Sequence, residues 1–128
     1  MTGISPAARD ALEDWLAAQA ALRGLSQNTI TAYRTDLLEF LAFLTIHEAE
    51  QLGIARLIRV GTRDIRSWMA HERGRGVSAR SVARALSAIK TFYRWLSEKE
   101  NFDATAILSA RSPKFAKSLP RALSETAA

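Results

Sequence analysis

Residues 77–96, Val77-Ser78-Ala79-Arg80-Ser81-Val82-Ala83-Arg84-Ala85-Leu86-Ser87-Ala88-Ile89-Lys90-Thr91-Phe92-Tyr93-Arg94-Trp95-Leu96, repeat their apolar side chains at the period of a helix. At about 100° per residue, Val82, Ala85, Leu86, Ile89, Phe92, Tyr93 and Leu96 fall on one side, and Arg80, Arg84, Ser87, Thr91 and Arg94 on the other. One face requires a core. The opposite face holds three arginines and two hydroxyls without a carboxylate, whereas an ordinary solvated helix face mixes signs. A helix of this kind must be packed by other helices on one side and leaves a cationic side without counter-charge from its own segment.

The partners for that core are visible upstream. Ser5-Pro6 reads as an N-cap followed by proline at the first helical position, and the helix runs to about Arg23, where Gly24 stops it. Leu12, Trp15, Leu16 and Ala20 form its buried stripe, with Arg9, Asp10, Glu13 and Asp14 outward. Ser26 caps a second helix, in which Ile30, Tyr33, Leu37, Phe40, Leu41 and Leu44 make the longest core stripe. Asn28, Thr31 and Thr35 lie opposite. Short polar side chains there are compatible with a solvated face, and equally with a helix pressed into a nucleic-acid groove, where long side chains would hold the backbone away.

Residues 45–61, with His47, Glu48, Glu50, Gln51, Gly53 and Gly61 around Leu57-Ile58, have no clean period and read as a loop with room for a short helical turn. Thr62-Arg63-Asp64-Ile65 caps a third helix with Ile65, Trp68 and Met69 inward and Arg63, Arg66 and Arg73 outward. Gly74-Arg75-Gly76 closes it with a turn short enough to make the third and fourth helices neighbours. Ser78 caps the fourth, and the amides beside Ser78, Arg80 and Ser81 make a phosphate-friendly helix start. Glu98-Lys99-Glu100-Asn101 ends it, and Asp103 caps a short fifth helix through Leu108. The expected fold is an all-α compact bundle of four to five helices over residues 1–110, followed over 111–128 by an extended basic linker with two prolines, Pro113 and Pro120.

Charge narrows the function. The net charge is +5, but residues 1–55 hold three Lys/Arg against seven Asp/Glu, while residues 56–94 hold ten against two. A basic block of this kind can bind nucleic acid, bind acidic lipid or keep a protein soluble. The chain has no cysteine, which excludes a disulfide framework and thiolate metal sites. His47 and His71 are too few and too far apart for a metal centre. No basic-then-apolar leader opens the chain, and no apolar run approaches the roughly 18 residues of a membrane span. The expectation is a soluble, cytoplasmic protein without membrane contact. Paired carboxylates, a nucleophile with a histidine base and a glycine-rich phosphate loop are all missing from the pattern. The expectations are therefore no catalytic residue, no cofactor and no metal, and the positive signals all concern binding.

Two stretches then become familiar. Residues 25–41, Leu25-Ser26-Gln27-Asn28-Thr29-Ile30-Thr31-Ala32-Tyr33-Arg34-Thr35-Asp36-Leu37-Leu38-Glu39-Phe40-Leu41, resemble the S-x-x-T-x-x-x-Y-x-x-D-L-x-x-F signature that opens bacterial Xer-type tyrosine recombinases. Residues 78–93 resemble their second signature, S-x-x-S-x-x-R-x-L-S-A-x-(K/R)-x-F-Y, and Ser112-Pro113-Lys114 through Leu119-Pro120-Arg121 resemble the linker to their catalytic domain. The resemblance implies a SAM-like core-binding domain, one half of a clamp on double-stranded DNA, in a parent that resolves chromosome dimers by strand exchange. It carries Asn28, Thr29, Thr31 and Thr35 onto the DNA face of the second helix, and Arg80, Ser81, Arg84, Ser87 and Thr91 onto that of the fourth. Arg94 shares the latter face, and Arg34 would reach a phosphate from the flank.

The resemblance also implies a parent that cleaves through a 3′-phosphotyrosyl link and works as a tetramer with a homologous recombinase on two DNA sites. Its catalytic tyrosine would belong to a C-terminal domain. On this reading the 128 residues are not an enzyme by themselves and are monomeric in isolation. Tyr33 and Tyr93 sit in apolar stripes as core residues, and Trp15 and Ile107 are available for contacts between subunits. Two positions depart from the family pattern: Thr35 stands where a second basic residue is frequent, and Asn101-Phe102 where Asn-Pro is frequent. An integrase of a mobile genetic element and a helical protein-interaction module are the alternatives. Replacing Arg80 and Arg84 by Ala is expected to weaken DNA binding and leave the fold intact, the outcome that separates the DNA readings from the interaction module.

Overall fold

In a computed structural model, residues 3–46 and 48–113 are described. They form α1 (Pro6–Arg23), α2 (Gln27–Thr45), α3 (Ile54–Ile58), α4 (Thr62–Gly74), α5 (Ala79–Glu100) and α6 (Thr105–Leu108). The four long helices are the first to fourth of the sequence reading. The extra turn α3 lies in the stretch without a period, and α6 is the short helix after Asn101. The linker expected over 111–128 lies, from Lys114 onward, outside the described residues, as does His47.

Three serines set where the long helices begin. The Ser5, Ser26 and Ser78 hydroxyls accept the N–H groups of Ala8, Thr29 and Ser81 at 3.1, 3.2 and 3.1 Å, each satisfying a donor that the first turn leaves unpaired. Thr62 does not cap α4. Gly61 holds that position, and Asp64 reaches back to accept the Gly61 N–H at 3.0 Å, so the carboxylate three residues into the helix replaces a side-chain cap. Asp103 likewise accepts the Thr105 N–H at 2.9 Å from one residue before the α6 cap, Ala104. Gly24 ends α1 at φ 62°, and Gly76 turns α4 into α5 at φ 88°, conformations that cost glycine least. At the end of α5, the Phe102 N–H donates to the Ser97 carbonyl at 3.1 Å, a bond that a proline there could not make.

α5 is the centre of the bundle and packs against α1, α2, α4 and α6, while α1 and α2 also pack on each other. Its Ile89, Phe92, Tyr93 and Leu96 are fully buried, together with Trp15 of α1 and Leu37, Phe40 and Leu41 of α2. Rings fill the space between helices. Trp15 stacks on Tyr33 at 5.4 Å and meets Phe92 edge-on at 5.4 Å, and Phe40 meets Trp68 edge-on at 5.5 Å. In α1 the stripe runs Ala8, Ala11, Leu12, Trp15, Leu16 and Gln19. Ala20 is exposed, and Gln19 replaces it, its amide oxygen accepting from Arg23 at 3.0 Å. Trp15 and Ile107 are both buried, so they hold the core and are not available to a neighbouring subunit.

The stretch between α2 and α4 is ordered by long-range bonds. Ser5 donates its N–H to the Leu52 carbonyl at 2.9 Å, and Leu52 donates to the Gly3 carbonyl at 2.7 Å, an isolated parallel bridge centred on Ile4 and Leu52. The buried Tyr93 hydroxyl donates to the Leu57 carbonyl at 2.7 Å, and burial pushes that phenol well above its ordinary range. Arg56 joins Glu48 and Asp64, at 3.0 Å each. Burial opposes its charge, but the hydrogen bonds to the two carboxylates outweigh it and raise its pKa. Among the described residues no helix is long and apolar enough to cross a membrane.

Candidate nucleic-acid interface

The period of α5 decides which side chains reach solvent. With nearly half of the helix circumference committed to the core, Arg80, Arg84, Ser87 and Arg94 are exposed, and Ser81 and Thr91 half-buried. On α2 the same logic leaves Asn28, Thr31 and Thr35 exposed and Thr29 and Arg34 half-buried. Every one of these eleven residues lies at the surface, on two helices that pack directly against each other.

The hydroxyls at the helix starts are partly committed. Thr29 Oγ1 and Ser26 Oγ lie 3.1 Å apart, Ser78 donates to Ser81 Oγ at 3.1 Å, and Thr91 donates to the Ser87 carbonyl at 3.1 Å. Arg34 is committed too. Its guanidinium forms a two-point ion pair with Glu13 of α1, at 2.6 and 3.2 Å, which lowers the Glu13 carboxyl pKa and raises that of Arg34. A phosphate at this flank would have to displace or share that pair.

The α5 face is not without counter-charge. Arg84 donates to the Oδ1 of Asp36 on α2 at 3.0 Å; the Arg84 side chain is 64% exposed and that of Asp36 6%. Asp36 lies about 40° from Phe40 and about 60° from Tyr33, both on the same side of it on the α2 wheel, so it borders the core stripe on the way to the outward face; an acid at that border is the signal that could have revealed it. Removing Arg84 would leave that buried carboxylate without its partner. Replacing Arg80 and Arg84 by Ala is therefore expected to cost stability as well as DNA binding.

Sequence reasoning also passed over Lys90 and Arg111. Both line a groove of about 560 Å³ with Ala83, Leu86, Ser87, Ser109, Ala110 and Ser112. Two cations and three hydroxyls with no carboxylate make it the continuation of the α5 face toward the end of the described chain. The grooves that contain Glu39 and Glu72, or Glu48 and Glu50, differ in this respect. The signal in the sequence was Lys90 itself, one turn from Ser87, but Arg111 follows α6 and no helical period leads to it.

Chemically the surface can hold anions and donate hydrogen bonds. Among the described residues no three His, Asp or Glu side chains are arranged to hold a metal ion. The Tyr93 hydroxyl is spent inside the core.

Comparison with known proteins agrees with this architecture. Residues 12–100 match the family model described as phage integrase, N-terminal SAM-like domain. The chain is 40% identical over 124 residues to tyrosine recombinase XerC of Methylobacterium nodulans, covering 97% of this chain and 38% of that protein. It is 37% identical over 116 residues to tyrosine recombinase XerC of Rickettsia typhi, covering 91% and 38%. To tyrosine recombinase XerC of Chlorobaculum parvum it is 38% identical over 119 residues, covering 89% and 34%. The chain thus spans little more than a third of the length of these relatives. No solved structure matches it significantly. The helical bundle, its two signature stretches and the match across residues 12–100 make this chain a member of the phage integrase N-terminal SAM-like domain family.

Proposed function

We propose that the chain is the DNA-clamping N-terminal part of a site-specific tyrosine recombinase of the Xer type. The observation that carries this reading is the α5 outer face. Arg80, Arg84 and Arg94 are exposed on a segment with no acidic residue from Ala79 to Ser97, beside an α2 face of short polar side chains. Asn28, Thr31 and Thr35 allow the α2 backbone to approach a major groove. The arginines supply phosphate contacts and a few base-edge contacts, and Lys90 and Arg111 extend the phosphate track along their groove. Affinity then comes largely from counterion release and falls with salt.

Strand cleavage, on this reading, is the work of a catalytic tyrosine outside these 128 residues. Neither tyrosine here fits the role: the Tyr93 hydroxyl is buried against the Leu57 carbonyl, and the Tyr33 ring stacks on Trp15. The parent acts as a tetramer on two DNA sites. The relatives named XerC favour an Xer recombinase over an integrase of a mobile genetic element. The test is retention of the chain by a duplex of about 30 base pairs and by phosphatidylserine vesicles at about 100 mM salt. Binding to the duplex alone supports the reading; binding to the vesicles alone, or to neither, contradicts it.

A further inference from the structure

Three polar or charged side chains are buried among the described residues, namely Gln19, Asp36 and Glu72. Gln19 and Glu72 bond within their own neighbourhoods, to Arg23 four residues on and Arg75 three residues on. Asp36 alone reaches another long helix, where it meets Arg84. Stability does not account for an acid at this place. A buried ion pair replaced by well-packed apolar residues is commonly neutral or stabilising, and position 36 is buried at the edge of the α2 core stripe, about 40° from Phe40. The pair does achieve something geometric. An arginine with a 64% exposed side chain is held at the seam between the two outward faces by a carboxylate that is itself only 6% exposed. Asp36 takes one of the five N–H donors of a guanidinium whose side chain is otherwise largely exposed.

We infer that Asp36 is a positioning residue that gives Arg84 its sequence selectivity: without touching DNA, it fixes the guanidinium fork in one orientation against the base edges of the groove. The inference rests on the DNA-binding reading above. It makes a prediction that simple electrostatics does not. Removing a negative charge next to a duplex should, by charge alone, tighten binding to every sequence equally. Releasing the fork instead lowers the preference for the selected sequence, because a swinging arginine meets any phosphate and no particular base.

The experiment uses the full 128-residue chain and, as probe, the duplex it enriches from a random library, measured against a scrambled duplex of the same composition. In Asp36→Asn the ratio of the two affinities falls about tenfold, and in the Arg84→Ala background the same substitution leaves the ratio unchanged. If Asp36→Asn melts below the assay temperature, Arg84→Lys, which keeps the charge and loses the fork, lowers the ratio instead. Equal tightening of both duplexes, equal weakening of both, or an effect that persists without Arg84 would overturn the inference. A wild-type chain that binds both duplexes alike would overturn it while sparing the DNA reading, and a chain that binds neither removes the DNA reading itself.

Discussion

Arg56 and Arg84 carry the same guanidinium and meet opposite surroundings. The Arg56 side chain is 21% exposed and shared between two carboxylates, Glu48 and Asp64, which come from opposite ends of the stretch that it closes. The Arg84 side chain is 64% exposed and has, among the described residues, the single carboxylate Asp36 beneath it. Both belong to the basic block of residues 56–94, and composition cannot tell them apart. What separates them is the number of acceptors within reach and the direction in which the remaining donors face. A cation saturated by carboxylates staples the fold, and a cation anchored at one point is presented to a partner. Dividing the ten cations of the block in this way, rather than summing them, converts a net charge into a surface.

The largest effect expected from this contrast is on stability. Arg56→Ala removes the link between Glu48 and Asp64 and is expected to cost about 2–4 kcal/mol, read as a lower urea midpoint, with duplex affinity of the folded protein unchanged. Weaker duplex binding by folded Arg56→Ala would erase the distinction drawn here. Next, Arg84→Ala orphans the Asp36 carboxylate and is expected to lose about 1–3 kcal/mol. Adding Asp36→Asn should recover part of that loss in the same urea titration, whereas an additive loss would mean that the pair is not coupled.

The smallest effect concerns Arg34 and Glu13, an exposed pair on the flank. Because hydrogen bonding to Arg34 holds the folded Glu13 carboxyl below its ordinary value of 4.5, its contribution is present at neutral pH. It is lost as the pH falls through the folded value. Glu13→Gln should therefore cost under about 0.5 kcal/mol at pH 7 and flatten the acid limb of the stability profile below pH 4.5. A steeper acid limb in the variant would reverse that assignment.

The sequence was most legible where one period runs long. α5 shows its buried side, its Ser78 cap and its Asn101 stop directly, because each follows from spacing and local chemistry. Residues 48–61 were illegible because much of their order comes from partners distant in the chain, Gly3 and Ser5 on Leu52 and the Tyr93 hydroxyl on Leu57, and the rest from Arg56 bridging Glu48 and Asp64, each eight residues away. No helical or strand period encodes those contacts. At the interface, the outward residues of α2 and α5 followed from the wheel. Asp36 was missed because an acid at the border of a core stripe has meaning only once the helix that faces it is known.

The central claim, that the outer face of α5 binds duplex DNA through its arginines, is tested most directly by the dependence of binding on salt. The slope of log affinity against log salt should be compared between the wild-type chain and Arg80→Ala/Arg94→Ala, which spares the Arg84–Asp36 pair. The account predicts a slope shallower by about two in the folded variant. An equal slope in the folded variant would take the α5 face out of the interface.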